Sequence, residues 1–159
     1  MSAAHAAGSL PGTAEAPAAA GRDARSGTLR RAVGCFFLFT GGVHLGMVAA
    51  DVEVYRHFAD GSMLPFVRDG WTDVFMAHAV LWALLVMAGE LAMGLLLLRG
   101  GAAAKVGWVG VIAFHVGLML FGWGFWFWSI PVLAFLVWAA RRDWPALGGA
   151  APLRPAAVT

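Results

Sequence analysis

Four apolar segments, each close to the length that crosses a bilayer, dominate this 159-residue chain. A helix needs about 20 mostly apolar residues to span a hydrocarbon core ~30 Å thick. Residues 29–50, 74–98, 104–123 and 125–140 approach that length. With 60% hydrophobic and 13% charged residues and a mean hydropathy of +0.75, the composition excludes a water-soluble domain. We therefore predict an integral membrane protein whose first partner is the lipid bilayer.

The connections between these segments predict the architecture. The second, third and fourth segments are joined by short links, so consecutive helices should be antiparallel neighbours in an all-α, up-down four-helix bundle. Residues 1–28 are rich in Ala, Gly, Pro and Ser and predict a disordered N-terminal tail, while residues 142–159 form a second tail. Cleavage of the first segment after residues 48–50 ("VAA") is an open alternative, although the apolar run is longer than a usual signal core.

The basic residues predict the orientation, because Lys and Arg accumulate in cytoplasmic loops. One side of a four-span chain carries Arg22, Arg25, Arg30, Arg31, Arg99, Lys105, Arg141, Arg142 and Arg154. The other side carries only Arg56 and Arg68. We expect a multi-pass protein of the inner (plasma) membrane with both termini, and therefore both tails, in the cytoplasm. The extracytoplasmic loop, residues 51–73, has many apolar side chains and should fold back over the bundle as a cap or short amphipathic helix.

Ionisable groups inside the spans are costly and by default face the bundle interior or mark a functional pathway. Counted at ~1.5 Å per residue, His44, His78 and His115 lie about 20, 22 and 15 Å above the inner edge, in the outer half of the membrane. If they converge, they could ligate a haem or a transition metal, or hydrogen-bond to a quinone-like ligand. The alternative is that each is neutral and separately hydrogen-bonded at a helix interface. The sequence leaves both interpretations open.

Residues near the outer end of the first span extend this candidate site. Asp51 lies two turns beyond His44 and could orient a histidine ring, or it could simply end the span in water. Glu53, Tyr55, Arg56 and His57 could close a pocket over the histidines, or they could form a solvated face with buried aromatic neighbours.

Glu90 is the one acidic residue well inside a span. Counted from Asp73, it lies about 25 Å down its helix and near the inner boundary. We expect it to form an ion pair with a basic residue there, Arg99 or Lys105, or Arg30 or Arg31 of the first helix. A proton-carrying role is the alternative.

The first helix carries "GGVH" near its outer end, the following loop has a "Y..F" pair and a proline, and the second helix has a glutamate followed by glycine. Over residues 29–141 this arrangement resembles the DoxX-like superfamily of small four-helix membrane proteins. Some members are subunits of a thiosulfate:quinone oxidoreductase or associate with redox systems. The resemblance implies a redox-linked or quinone-adjacent role and assigns no catalytic residue. His78 and His115 depart from the pattern.

Three functions therefore remain open. The chain could be a DoxX-like subunit of a membrane redox process, with a membrane redox partner or a second copy of itself. It could bind haem or a transition metal through His44, His78 and His115. It could also be a structural or transport-associated subunit without catalysis. No phosphate-binding loop, paired-cysteine motif or basic nucleic-acid-binding helix is present in the sequence.

Overall fold

Five α-helices make up most of the protein in the computed structural model, which describes residues 15–148 and the side chains from residue 25 onward. They are α1 (Glu15–Ala50), α2 (Pro65–Gly70), α3 (Ala79–Arg99), α4 (Gly101–Leu118) and α5 (Trp123–Asp143). Four helical segments are long and apolar enough to cross a membrane: Arg25–Ala50, Pro65–Arg99, Gly101–Phe121 and Trp123–Leu147. The described residues contain no strand. The predicted all-α, four-helix membrane fold is confirmed.

The four long helices form a closed bundle in which α1 packs along α3, α3 on α4, α4 on α5, and α5 back on α1. The seam between α1 and α3 is very close, because a methyl group at Gly94 would lie 2.8 Å from the carbonyl oxygen of Gly34. Small residues permit such close backbone approach in membrane bundles, where dispersion contacts drive helix association. Large apolar side chains instead point outward, with Phe39 70% and Phe127 87% exposed, as expected for surfaces in contact with lipid.

The helix boundaries correct the predicted tails. The disordered tail predicted for residues 1–28 is wrong in its second half, since α1 already begins at Glu15. Alanine is the strongest helix former, and Pro17 in the first turn costs no intrahelical hydrogen bond. At the other end α5 runs to Asp143 and a 3-10 turn covers Trp144–Leu147, so helix continues beyond the predicted boundary at residue 140. The remainder of both predicted tails lies outside the described residues.

Residues 51–78, called the cap below, fold over one end of the bundle. The cap contains a 3-10 turn (Val52–Tyr55), then α2, a π-helical turn (Trp71–Phe75) and a second 3-10 turn (Met76–His78). The expectation that the loop contains a short helix and packs back on the bundle agrees with this structure. Its aromatic residues enter a buried cluster with the start of α3, formed by Tyr55, Phe75, Ala79 and Ala83.

The cap is fastened to the turn between α4 and α5. The Ser62 hydroxyl donates to the carbonyl oxygen of Leu120 at 2.6 Å. Gly61 packs against Gly122, whose φ of +97° suits glycine and whose added Cβ would lie 1.8 Å from the Gly61 carbonyl oxygen. Within the cap, the Trp71 indole donates to the Tyr55 carbonyl oxygen at 2.8 Å. The cap is therefore held at a fixed position over the bundle.

Candidate functional site

A pocket of about 490 Å³ lies beneath the cap, between α1, α3, α4 and α5. Its walls are predominantly aromatic and come from the cap, α4 and α5: Phe58, Trp71, Phe75, Phe114, Phe125 and Trp128. Three polar side chains also line it: His44, Tyr55 and Glu90. An apolar cavity of this size with a few convergent polar groups is typical of a small-molecule site.

His44 contacts both of the other polar groups. His44 Nδ1 and the Tyr55 hydroxyl share a hydrogen bond of 2.5 Å, and the planes of the two rings are nearly parallel, with an interplanar angle of 9°. On the other edge of the same imidazole, Nε2 lies 3.6 Å from Glu90 Oε1. His44 thus links the cap to α3 through its two ring nitrogens. Together the three side chains form what we call the His44–Tyr55–Glu90 cluster.

Glu90 is the least satisfied member of this cluster. It is 3% exposed, and its Oε2 atom has no hydrogen-bond partner among the described residues. A buried carboxyl oxygen without a partner carries a desolvation cost of about 1–3 kcal/mol or more. Glu90 is one of the residues that line the pocket, and the burial of this oxygen is not compensated by a polar neighbour among the described residues.

Tyr55 is the member contributed by the cap. Burial, and then the negative charge of Glu90, raise the pKa of the Tyr55 phenol above its ordinary value of 10.0. The hydroxyl therefore stays protonated at physiological pH and can take part in hydrogen bonds both as donor and as acceptor.

The structure separates the three histidines of the predicted layer. His78 is exposed and lies in a surface groove beside Val52 and Glu53. His115 is 1% exposed, and its Nδ1 lies 2.8 Å from the Val111 carbonyl oxygen of its own helix. No group of three His, Cys, Asp or Glu side chains able to hold a metal ion occurs in the part of the chain that the structure describes. The predicted metal-ligand set of His44, His78 and His115 is therefore not brought together.

The remaining residues of the predicted site lie apart from the pocket. Asp51 is exposed and caps the turn after α1, accepting a hydrogen bond from the Glu53 backbone N–H at 2.9 Å. Glu53 forms an exposed ion pair with Arg56, and His57 forms one with Asp60. Glu53, Arg56 and His57 therefore form a solvated face, which was the second of the two interpretations that the sequence allowed for them. Tyr55 alone of the four candidate loop residues lines the pocket.

The expected ion pair of Glu90 with Arg99 or Lys105 is not found, since the basic side chain that lies within 4 Å of the Glu90 carboxylate among the described residues is His44. Glu90 was counted along its helix from Asp73, whereas α3 begins at Ala79. Counted from Ala79, Glu90 lies about 17 Å into the helix. Side chains also lean toward the N-terminus of their own helix, so Glu90 on α3 and His44 on the antiparallel α1 lean toward each other.

An ion pair that the sequence did not predict closes the opposite end of the bundle. Arg30 Nη1 donates to the two carboxylate oxygens of Asp143 at 3.0 and 3.2 Å, and the Trp108 indole donates to the same carboxylate at 2.9 Å. Asp143 is 1% exposed. Asp143 directly follows Arg141 and Arg142 in the sequence and was assigned to the C-terminal tail, so the sequence did not mark it as a buried residue.

The fold and pocket define a small multi-pass membrane protein with a capped, largely aromatic cavity. Comparison with family models, curated proteins and solved structures gives no match.

Proposed function

We propose that this protein binds a lipid-soluble cyclic molecule of the quinone class in the pocket beneath the cap, and that it serves a membrane redox process as a subunit. The observation that carries the proposal is the His44–Tyr55–Glu90 cluster in an otherwise apolar, aromatic pocket. A quinone combines a flat ring with carbonyl oxygens that accept hydrogen bonds, and its quinol form carries hydroxyls that donate them.

The pocket walls suit a flat ring. Trp71 and Phe75 stack with their ring centroids 3.8 Å apart, and Phe58 stacks on Trp71 with an interplanar angle of 9°. Such parallel rings offer an aromatic face for offset stacking with a ligand ring. On the polar wall, the Glu90 carboxylate would accept a hydrogen bond from a hydroxyl of the quinol form, and the Tyr55 hydroxyl lies beside it through His44.

The proposal of a DoxX-like relationship gains support from where its motifs lie. His44 belongs to the "GGVH" motif, Tyr55 and Phe58 form the "Y..F" pair, and Glu90 is the glutamate of the second span. All four side chains line the same pocket. A redox partner in the membrane is part of this proposal, because a bound quinone or quinol must exchange its electrons with a second redox group.

We also propose that the chain lies in the plasma membrane with both termini in the cytoplasm. The support is the distribution of basic residues, with nine of the eleven Lys and Arg residues on one side of the four spans. In this orientation the cap and the pocket lie toward the extracytoplasmic surface.

The test is quinone binding by the purified full-length chain in detergent. A short-tailed ubiquinone analogue and a simple naphthoquinone are titrated, each in its oxidised and its reduced quinol form, and the dissociation constants are measured by calorimetry, with protein-free micelles as the partition blank. We expect saturable binding of the quinol form, weakened about tenfold or more by His44→Ala or by Glu90→Gln, because the first change removes a buried hydrogen-bonding group and the second replaces a carboxylate acceptor of the quinol hydroxyl by a neutral amide.

His78→Ala is the matched control, since it removes an exposed histidine outside the pocket, and it should leave the dissociation constant unchanged. Partitioning equal to that of empty micelles, or equal losses in His44→Ala and His78→Ala, would refute the proposal. The first result would leave a structural or transport-associated subunit as the better hypothesis.

A further inference from the structure

A second groove lies between α4 and α5, at the end of the bundle opposite the cap. It has a volume of about 380 Å³ and shares no lining residue with the pocket beneath the cap. Its lining residues are Ile112, Val137, Ala140, Arg141, Trp144 and Pro145. The inner part of the groove is aliphatic, whereas Arg141 and Trp144 come from the end of α5 and the turn after it. This order, apolar inside and basic with indole at the edge, matches a membrane interface.

The edge of this groove has an excess of positive charge. The Lys105 ammonium group lies 5.4 Å from the centroid of the Trp144 ring, and Trp144 and the exposed Arg141 both line the groove. Asp143 is the acidic side chain described at this end, but it is buried and bonded to Arg30 and Trp108. Among the described residues, neither Lys105 nor Arg141 has an acidic partner. Their charges are therefore free to bind an anion.

We propose that this groove binds an anionic phospholipid, with one acyl chain against Ile112 and Val137 and the headgroup phosphate between Arg141 and Lys105. A lipid would occupy both the aliphatic part of the groove and its basic edge, whereas a small soluble anion would contact only the basic edge. The basic edge selects the headgroup, because each Lys or Arg near an anionic membrane surface contributes about 1 kcal/mol, equivalent to roughly fivefold in affinity. This site is independent of the quinone pocket and goes beyond the proposed function.

The experiment measures lipid retention by the full-length protein in detergent. Phosphatidylglycerol and phosphatidylcholine with identical acyl chains are added at equal mole fraction, and the bound lipid is quantified by native mass spectrometry. We expect phosphatidylglycerol to be retained in preference, with Arg141→Gln and Lys105→Gln each lowering the ratio about fivefold. Val137→Phe, which fills the groove without changing charge, should lower the retention of phosphatidylglycerol, and a thermal melt without lipid checks that the variant is folded.

Arg142→Gln is the matched control, since it removes the same charge from the adjacent residue, whose guanidinium lies 4.2 Å from the Trp138 ring centroid and outside the groove. It should leave the ratio unchanged. Equal retention of the two lipids, or equal losses in Arg141→Gln and Arg142→Gln, would overturn the proposal. Competition by soluble glycerol phosphate as effective as that by the lipid would also overturn it, because the acyl chain would then contribute nothing.

Discussion

Replacing Asp143 by alanine should destabilise the bundle more than any change in the exposed ion pairs of the cap. Asp143 accepts hydrogen bonds from Arg30 and from the Trp108 indole. Loss of the carboxylate leaves the fully buried indole N–H without its acceptor and the guanidinium without its counter-ion. Breaking a buried ion pair typically costs about 3–5 kcal/mol.

The lower end of this range applies here. The Arg30 side chain remains 14% exposed, and its Nε keeps a hydrogen bond to the Leu97 carbonyl oxygen at 3.1 Å. We therefore expect Asp143→Ala to lower the free energy of unfolding by about 3 kcal/mol. The measurement is reversible unfolding by sodium dodecyl sulfate in mixed micelles, followed by circular dichroism.

Asp60→Ala provides the comparison, because Asp60 pairs with His57 where both side chains are mostly exposed, and such pairs contribute about 0–1 kcal/mol. A double-mutant cycle of Arg30→Gln with Asp143→Ala should show a coupling energy of about 1–3 kcal/mol. A loss below about 1 kcal/mol for Asp143→Ala, or additive effects in the cycle, would contradict the assignment of this pair as the main polar contact at that end.

Three further predictions concern the cap and the topology. Gly122→Ala should cost about 2 kcal/mol or more, because the new Cβ meets Gly61 at a strained backbone angle; Gly124→Ala, with open space around it, should cost far less in the same unfolding assay. Because the pKa of the Tyr55 phenol is raised in the folded protein, its contribution to stability is complete below pH 10.0 and declines above it, where the unfolded chain releases the proton first. When the free energy of unfolding is measured against pH, Tyr55→Phe should remove this decline. If the free energy of the variant falls with pH as steeply as that of the wild type, the burial of the phenol is contradicted. A reporter fused after Thr159 should be active only in the cytoplasm, and a periplasmic signal would overturn the proposed orientation.

The sequence predicted the membrane spans because the bilayer imposes a length and an apolar composition that are readable without a structure. It located the ends less well. Residues 15–28 have the low hydropathy of a tail, yet α1 begins at Glu15, since an alanine-rich stretch adjoining a long helix can extend it at little cost. Hydropathy indicates which residues lie in the bilayer, but it does not predict how far a helix extends beyond the apolar segment.

The candidate site was predicted in part. His44 and Glu90 were both singled out as ionisable groups inside spans, but their contact was missed. The depth estimate assumed regular α-helix from Asp73, whereas the π-helical turn Trp71–Phe75 and the 3-10 turn Met76–His78 intervene. The depth of a residue along a helix also does not tell which way its side chain points around the helix axis. His78 lies near the predicted depth of His44, yet its side chain is exposed on the outside of the bundle.

The two acidic side chains buried in the described part of the bundle differ in a way that separates structure from function. Both carboxylate oxygens of Asp143 accept hydrogen bonds, so its burial is compensated. Glu90 has one oxygen 3.6 Å from His44 Nε2 and one with no partner, and it lines a pocket. An unsatisfied buried oxygen lowers stability, and a ligand that bonds to Glu90 would recover that cost.

This contrast predicts opposite results for two isosteric substitutions. Glu90→Gln keeps the size and shape of a side chain that has one oxygen without a partner, so the free energy of unfolding should stay within about 1 kcal/mol of the wild-type value or rise, while binding of the quinone-class ligand weakens about tenfold or more. Asp143→Asn should lower the free energy of unfolding and leave quinone binding intact, because its carboxylate lies outside the pocket. If Glu90→Gln unfolds the bundle as readily as Asp143→Asn, then Glu90 is a structural residue and the pocket loses its polar determinant.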